Sequence, residues 1–153
     1  MGIFFDYFRA GTDDEALAVH DWPAGPTCPP EGTEPKDSVE IKGIDPHVMM
    51  GTLEALLTGH RYEDITDRPG HARELTISDE GGQAVFALAD EFAVALAAAG
   101  DEEIRAVADP WSRTEEFWGN ADPAELAEIV SDLRDLAVRA VGQEQHLYCW
   151  MSL

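Results

Sequence analysis

Basic side chains are scarce in this sequence. Its 153 residues include ten lysines and arginines, and the only lysines are Lys36 and Lys42, against 31 aspartates and glutamates. The formal net charge is therefore −21 at pH 7. A field of this sign repels nucleic acids and anionic membrane surfaces and attracts basic proteins. We therefore expect neither nucleic acid nor membrane among the partners, and a basic protein is the partner that the charge favours.

The acidic composition has a second explanation that involves no partner. An excess of carboxylates with almost no lysine is also expected of a protein adapted to high salt, where the charges are only a solvated surface. The two interpretations differ in the effect of salt on the folded chain. If the charge is an adaptation, screening of the repulsion between carboxylates should raise stability markedly.

Motifs for several common kinds of chemistry are also absent. The sequence has no glycine-rich phosphate loop, no Gly-x-Ser-x-Gly motif, no paired-cysteine metal motif and no basic stripe with interleaved aromatic residues. These absences disfavour nucleotide hydrolysis, serine hydrolysis and nucleic-acid binding, and we expect no cofactor. The two cysteines, Cys28 and Cys149, lie far apart and suit neither a disulfide framework nor a redox pair.

Long apolar runs are missing as well. The longest, residues 84–99, is interrupted by Asp90 and Glu91 and is too short to span a bilayer. The first eight residues are apolar but lack the cationic leader of a secretory signal, so a cytoplasmic protein is expected. The length and a hydrophobic content of 44% predict a single domain over residues 1–153 with a substantial core.

Both ends of the chain have the composition of strands. Residues 2–9 and 146–153 are dense in aromatic and aliphatic side chains, and residues 39–42 alternate with a period of two. Because a strand needs a neighbour for its backbone hydrogen bonds, the two terminal strands are expected to pair. The predicted fold class is α+β, with a small sheet that includes the N- and C-terminal strands and packs against several helices.

Helices are predicted in the interior of the chain, where capping residues mark their starts. Thr12 and the Asp-Pro pairs at 45–46, 109–110 and 122–123 are such residues. The predicted helices cover residues 12–20, 46–58, 83–99, 101–108, 110–118 and 123–141. Residues 22–38 contain five of the nine prolines and are predicted to form a long irregular segment. Residues 60–79 are predicted to be irregular except for a short strand at 75–77.

Short motifs with a particular order follow one another along the chain. They are Met1-Gly2 before an apolar strand, Ala55-Leu56-Leu57-Thr58-Gly59, Gly70-His71-Ala72-Arg73-Glu74-Leu75, Asp101-Glu102-Glu103-Ile104, Asp109-Pro110, Trp118 and Leu147-Tyr148. This order resembles that of the bacterial YfbM-like family over about two-thirds of the chain. The resemblance implies a small cytoplasmic α+β protein and supplies no catalytic residues. The proline-rich residues 22–38 do not match the family pattern.

The polar segment 60–74 holds the densest set of potential metal ligands. His60, Asp64 and His71 could coordinate zinc or another transition metal together with neighbouring carboxylates. Their spacing matches no helical pair such as His-Glu-x-x-His, and three arginines in the same segment would repel a cation. The alternative is a solvated loop with local ion pairs.

His47 is the candidate catalytic residue. It lies in the first turn of the helix predicted to begin at Pro46, where free amides and the positive end of the helix dipole favour a neutral imidazole and attract an anion. Such a histidine could act as a general base or hold a substrate carboxylate. The alternative is a surface or packing residue.

Two tryptophans, Trp22 and Trp111, are predicted as anchors for a partner. Trp22 either forms the lip of a binding site with His20 and Asp21 or closes the end of a helix. Trp111, Phe117 and Trp118 are together predicted to fix the helix over residues 110–118 on the body of the domain.

The leading functional hypothesis is a non-enzymatic protein-binding module, for example an immunity protein or inhibitor for a basic partner. The alternative is a small-molecule or metal-dependent enzyme that uses His47 or the loop from His60 to His71.

Overall fold

The computed structural model describes residues 2–153 of the chain. These residues contain five strands and six α-helices. The strands are β1 (Phe4–Ala10), β2 (Ser38–Lys42), β3 (Arg73–Ile77), β4 (Gln83–Ala87) and β5 (His146–Ser152). The helices are α1 (Asp13–Ala18), α2 (Met49–Thr58), α3 (Tyr62–Thr66), α4 (Asp90–Ala98), α5 (Asp101–Ser112) and α6 (Pro123–Gly142). Two short 3-10 turns cover Val19–Asp21 and Glu115–Phe117.

The strands form one antiparallel sheet in the order β2-β1-β5-β4-β3. The terminal strands pair along their full length, from Phe4 opposite Ser152 to Ala10 opposite His146. This arrangement confirms the predicted α+β class and the predicted pairing of the two ends of the chain. It also places β5, the last element of the chain, in the middle of the sheet.

Side chains from both faces of the sheet are buried, in two separate clusters. The larger cluster joins Phe5 and Tyr7 of β1 to apolar side chains of α2, α4, α5 and α6. The smaller cluster joins Phe8 of β1 to Ala16, Val19 and Trp22 on the other face. Because successive side chains of a strand point to opposite faces, one run of aromatic residues serves both clusters.

Several predicted caps are present. The Thr12 hydroxyl caps α1 by accepting a hydrogen bond from the Glu15 amide, and the Glu15 carboxylate accepts one from the Gly11 amide, just before the cap. Asp122 caps α6 by accepting from the Ala124 amide, and Pro123 is the first helical residue. These two helix starts were predictable because the caps act within one turn.

The helix predicted over residues 83–99 is wrong in its first part. Residues 83–87 form strand β4, and the helix α4 begins only at Asp90. Strand β4 lies inside the sheet with both faces covered, so its side chains are apolar on both faces. A run without alternation cannot be distinguished from a buried helix by its periodicity. Residues 60–79 are also more regular than predicted, since they contain the short helix α3 as well as β3.

Two of the predicted Asp-Pro helix starts are also wrong. Pro110 lies within α5, which runs unbroken to Ser112, because only its last residues follow the proline and little hydrogen bonding is lost. α2 begins at Met49 instead of Pro46. The Asp45 carboxylate still caps it, through the amides of Val48 and Met49.

The proline-rich residues 22–37 are irregular, as predicted, and cover part of the second face of the sheet. Gly25 adopts a φ of 92°, and a Cβ built there would lie 2.8 Å from the Trp150 ring. At the end of the segment, Asp37 accepts hydrogen bonds from Arg139 and Arg9. The Arg139 contact, supported by Arg9, lowers the pKa of the Asp37 carboxyl. The contacts of Asp37 hold the segment at its carboxyl end.

None of the helices within residues 2–153 combines the length and apolarity needed to cross a bilayer.

Candidate functional site

The three residues predicted as metal ligands do not form a metal site together. His60 and Asp64 are exposed. The His71 Nε2 donates a 2.8 Å hydrogen bond to the backbone carbonyl of His47, so this nitrogen is not available to bind a metal. Among residues 2–153, no group of three or more histidine, cysteine, aspartate or glutamate side chains is arranged to hold a metal ion.

The structure does bring His47 and His71 together. Their ring centroids are 6.4 Å apart, and the His47 ring makes an edge contact with Phe86 at 4.9 Å. His47 lies before α2, which begins at Met49, so the predicted position in the first helical turn is wrong. Burial is the main cause that lowers the pKa of His47. The expected anion position is taken by the Asp45 carboxylate at the start of α2. The cavity beside His71 has a volume of only about 10 Å³, which leaves no room for a substrate.

The two tryptophans predicted as partner anchors are buried. Trp22 is 7% exposed and belongs to the smaller core cluster, so it closes the end of the 3-10 turn. Trp111 is fully buried, and its indole N–H donates a 2.9 Å hydrogen bond to the Met49 carbonyl. The Phe117 ring packs edge-on against Trp111 at 5.1 Å. In this structure both tryptophans stabilise the fold and present no contact surface.

The exposed tryptophan is instead Trp118. Its side chain is 87% exposed, which contradicts the prediction that it anchors a helix on the domain. It ends the 3-10 turn Glu115–Phe117 in the left-handed conformation, with a φ of 56°. This backbone conformation is rare for a bulky residue, and here it directs the indole away from the core while Phe117 faces inward. Sequence reasoning misses Trp118 because an aromatic residue beside other aromatic residues is more often part of a core.

Carboxylates flank Trp118 on both sides in sequence. Glu115 and Glu116 precede it in the 3-10 turn, and Asp122 and Glu125 follow at the start of α6; all four are exposed. We call Trp118 and these four carboxylates the Trp118 surface. In space, Trp118 lines a shallow cleft with Glu115 and with Arg113, whose charge is paired with Asp109. A large exposed apolar side chain in a mostly acidic segment is an unusual feature on a protein surface.

Most of the few basic residues are occupied within the fold. Eight of the ten lysines and arginines pair with carboxylates at N–O distances of 2.5 to 3.7 Å. They engage nine different carboxylates, so 22 of the 31 acidic side chains have no lysine or arginine partner among residues 2–153. The negative charge is therefore largely uncompensated at the surface.

The ion pair of Arg134 with Asp101 is an example of a basic side chain paired within the fold. Arg134 donates to Asp101 at 2.9 Å, to Asp135 at 3.0 Å and to the Ala99 carbonyl, and so ties α6 to the start of α5. Hydrogen bonds to Asp101 and Asp135 raise the pKa of this guanidinium. The four carboxylates of the Trp118 surface have no such partner among the ion pairs of the described chain. They are available to an external cation.

Comparison with family models, with curated proteins and with solved structures yields no match. The resemblance to the YfbM-like family stays a prediction.

Proposed function

We propose that this chain is a cytoplasmic protein-binding module that engages a basic protein through the Trp118 surface, as an immunity protein or inhibitor would. The observation that carries the proposal is the exposed indole of Trp118 in a segment whose carboxylates have no lysine or arginine partner among the described ion pairs. Tryptophan is the residue type most enriched among those that dominate binding energy at interfaces. Carboxylates around it would select a partner of opposite charge.

The two parts of the Trp118 surface have different roles in this proposal. The carboxylates attract a basic partner over a distance and speed the encounter, and salt weakens this effect because it screens exposed charges. The indole supplies contact area and can also receive a lysine or arginine over its ring face. Affinity should therefore depend on both salt and Trp118.

The proposal is tested by capture followed by measurement of affinity. The tagged protein retains binding proteins from its own cell lysate at low salt, and the protein eluted by salt is purified. Its affinity is then measured by calorimetry at about 50 and about 300 mM NaCl. We expect a basic protein whose affinity falls at least about tenfold at the higher salt.

Two variants separate the role of Trp118 from that of charge alone. Trp118→Ala should weaken the complex at least about tenfold without changing thermal stability, because its side chain is outside the core. Phe4→Ala is the matched control, since Phe4 is a half-exposed aromatic residue at the start of β1. Equal affinity of the wild type and Trp118→Ala, or no stoichiometric partner at all, would count against the proposal.

The competing explanation of the charge, adaptation to high salt, has its own signature. It requires stability to rise markedly with salt and no salt-eluted partner.

A further inference from the structure

A polar cleft lies on the molecule where the first residues of α1 and α4 meet the ends of three strands. Its volume is about 360 Å³, within the range of small-molecule sites in proteins. The polar side chains that line it come from four elements, α1, β3, α4 and β5: Asp13, Arg73, Asp90, Glu91, His146 and Tyr148. None of them was a candidate in the sequence, because the cleft joins positions up to 135 residues apart.

His146 and Asp90 form a dyad in this cleft. The His146 Nδ1 lies 2.7 Å from the Asp90 Oδ1, so the carboxylate holds the tautomer in which Nδ1 carries the proton. The Nε2 lone pair is then free. An imidazole oriented in this way by a carboxylate is the arrangement with which histidine acts as a general base.

Arg73 supplies positive charge on the same cleft. One of its terminal nitrogens donates to Asp13 at 2.9 Å, and the opposite oxygen of Asp13 accepts from the Tyr148 hydroxyl at 2.9 Å. The remaining N–H groups of this half-exposed guanidinium are free to donate to a ligand oxygen. Asp13 thus fixes the position of Arg73 from one side.

The lining of the cleft restricts the choice of nucleophile. No serine, threonine or cysteine of the described chain lines it. The Tyr148 hydroxyl is engaged as a donor to Asp13, and burial, together with that hydrogen bond, raises the pKa of the phenol, so it stays protonated. Water is therefore the nucleophile that the dyad can activate.

We propose that this cleft hydrolyses small acyl esters, with His146 as the catalytic general base, Asp90 as a positioning residue and Arg73 as the donor to the oxyanion. The Nε2 of His146 takes a proton from a water molecule whose oxygen forms a bond to the acyl carbon. The negative charge moves to the carbonyl oxygen, where Arg73 donates to it. When the tetrahedral intermediate collapses, the bond to the leaving oxygen breaks, and the imidazolium returns its proton to the alkoxide. The products are a carboxylic acid and an alcohol, and no other reactant is consumed.

This activity is independent of the Trp118 surface, so either proposal can fail without the other. The test uses p-nitrophenyl acetate with the intact wild-type protein and follows release of p-nitrophenol. We expect a rate that saturates with substrate. His146→Ala should lower kcat/KM about 100-fold, while His60→Ala, which removes an exposed histidine outside the cleft, should leave it unchanged.

The role of Asp90 needs a readout that a merely structural residue would not affect. Asp90→Asn should lower kcat while KM stays within about twofold, because the wrong tautomer of His146 is then favoured. Asp90→Glu should recover part of the rate, and circular dichroism should show all variants folded. A wild-type rate no higher than that of buffer, a rate linear in substrate, or equal losses in His146→Ala and His60→Ala would each overturn the proposal.

Discussion

Replacing Asp6 with asparagine should stabilise the protein at neutral pH. Asp6 lies on β1 between Glu40 of β2 and Trp150 of β5, and only 5% of it is exposed. Burial, with a smaller effect of Glu40, raises the pKa of its carboxyl from 3.8 to about 6. A carboxyl with a raised pKa binds its proton more tightly in the folded state, so the group destabilises the fold at neutral pH, and this effect declines as the pH falls through about 6.

The size of the effect follows from the two pKa values. At about 1.4 kcal/mol per pH unit, the ionised Asp6 destabilises the fold by about 3 kcal/mol at about pH 7.5. At about pH 5 the folded state is mostly protonated at Asp6, and about half of that amount remains. An asparagine side chain has nearly the shape of the protonated acid and carries no charge, so Asp6→Asn should remove this contribution.

Urea unfolding at several pH values between about 5 and 8 measures the difference in the free energy of unfolding between variant and wild type. This range stays above the sequence pI of 4.2. Asp79→Asn, at an exposed turn between β3 and β4, is the control for the loss of one negative charge from a highly acidic protein. A gain for Asp6→Asn that matches the control, or that does not shrink toward pH 5, would refute the reasoning.

Three further predictions concern the core. Trp111→Phe leaves the Met49 carbonyl without its indole donor and should lower the free energy of unfolding by about 1–3 kcal/mol. A change below about 0.5 kcal/mol in urea unfolding would show that the hydrogen bond from Trp111 to Met49 contributes little to stability. Gly25→Ala places a Cβ against the Trp150 ring at a residue with a left-handed backbone, and should lower the free energy of unfolding by about 1–3 kcal/mol in urea. An unchanged urea midpoint would mean that residues 22–37 move aside without loss of stability. Deleting residues 146–153 removes the central strand and should leave the chain unfolded by circular dichroism; a truncated protein with a native spectrum and melting temperature would contradict the topology.

Elements with strong local signals could be predicted from the sequence. The terminal strands are dense in aromatic residues, and each needs a backbone partner, so their pairing followed from composition. α6 combines a proline start, a capping Asp122 and a long apolar stripe. In each case the information lies within one turn or one strand, which is the range that sequence patterns cover.

Features set by distant contacts could not be predicted in this way. Strand β4 resembles a buried helix in sequence because its neighbours, and not its own period, make it a strand. The exposure of Trp118 depends on a left-handed turn, for which the following Gly119-Asn120 is the only local signal. The contact of Tyr148 with Asp13 joins residues 135 apart, and no pattern within either segment indicates it.

Acrylamide quenching of tryptophan fluorescence, with the purified basic partner present, shows directly whether the partner covers Trp118. The other three tryptophans are at most 7% exposed, so quenching reports on Trp118 almost alone. We expect the partner to protect Trp118 from acrylamide at about 50 mM NaCl and the protection to be lost at about 300 mM. A bound partner that leaves quenching unchanged, or protection that does not depend on salt, would contradict it.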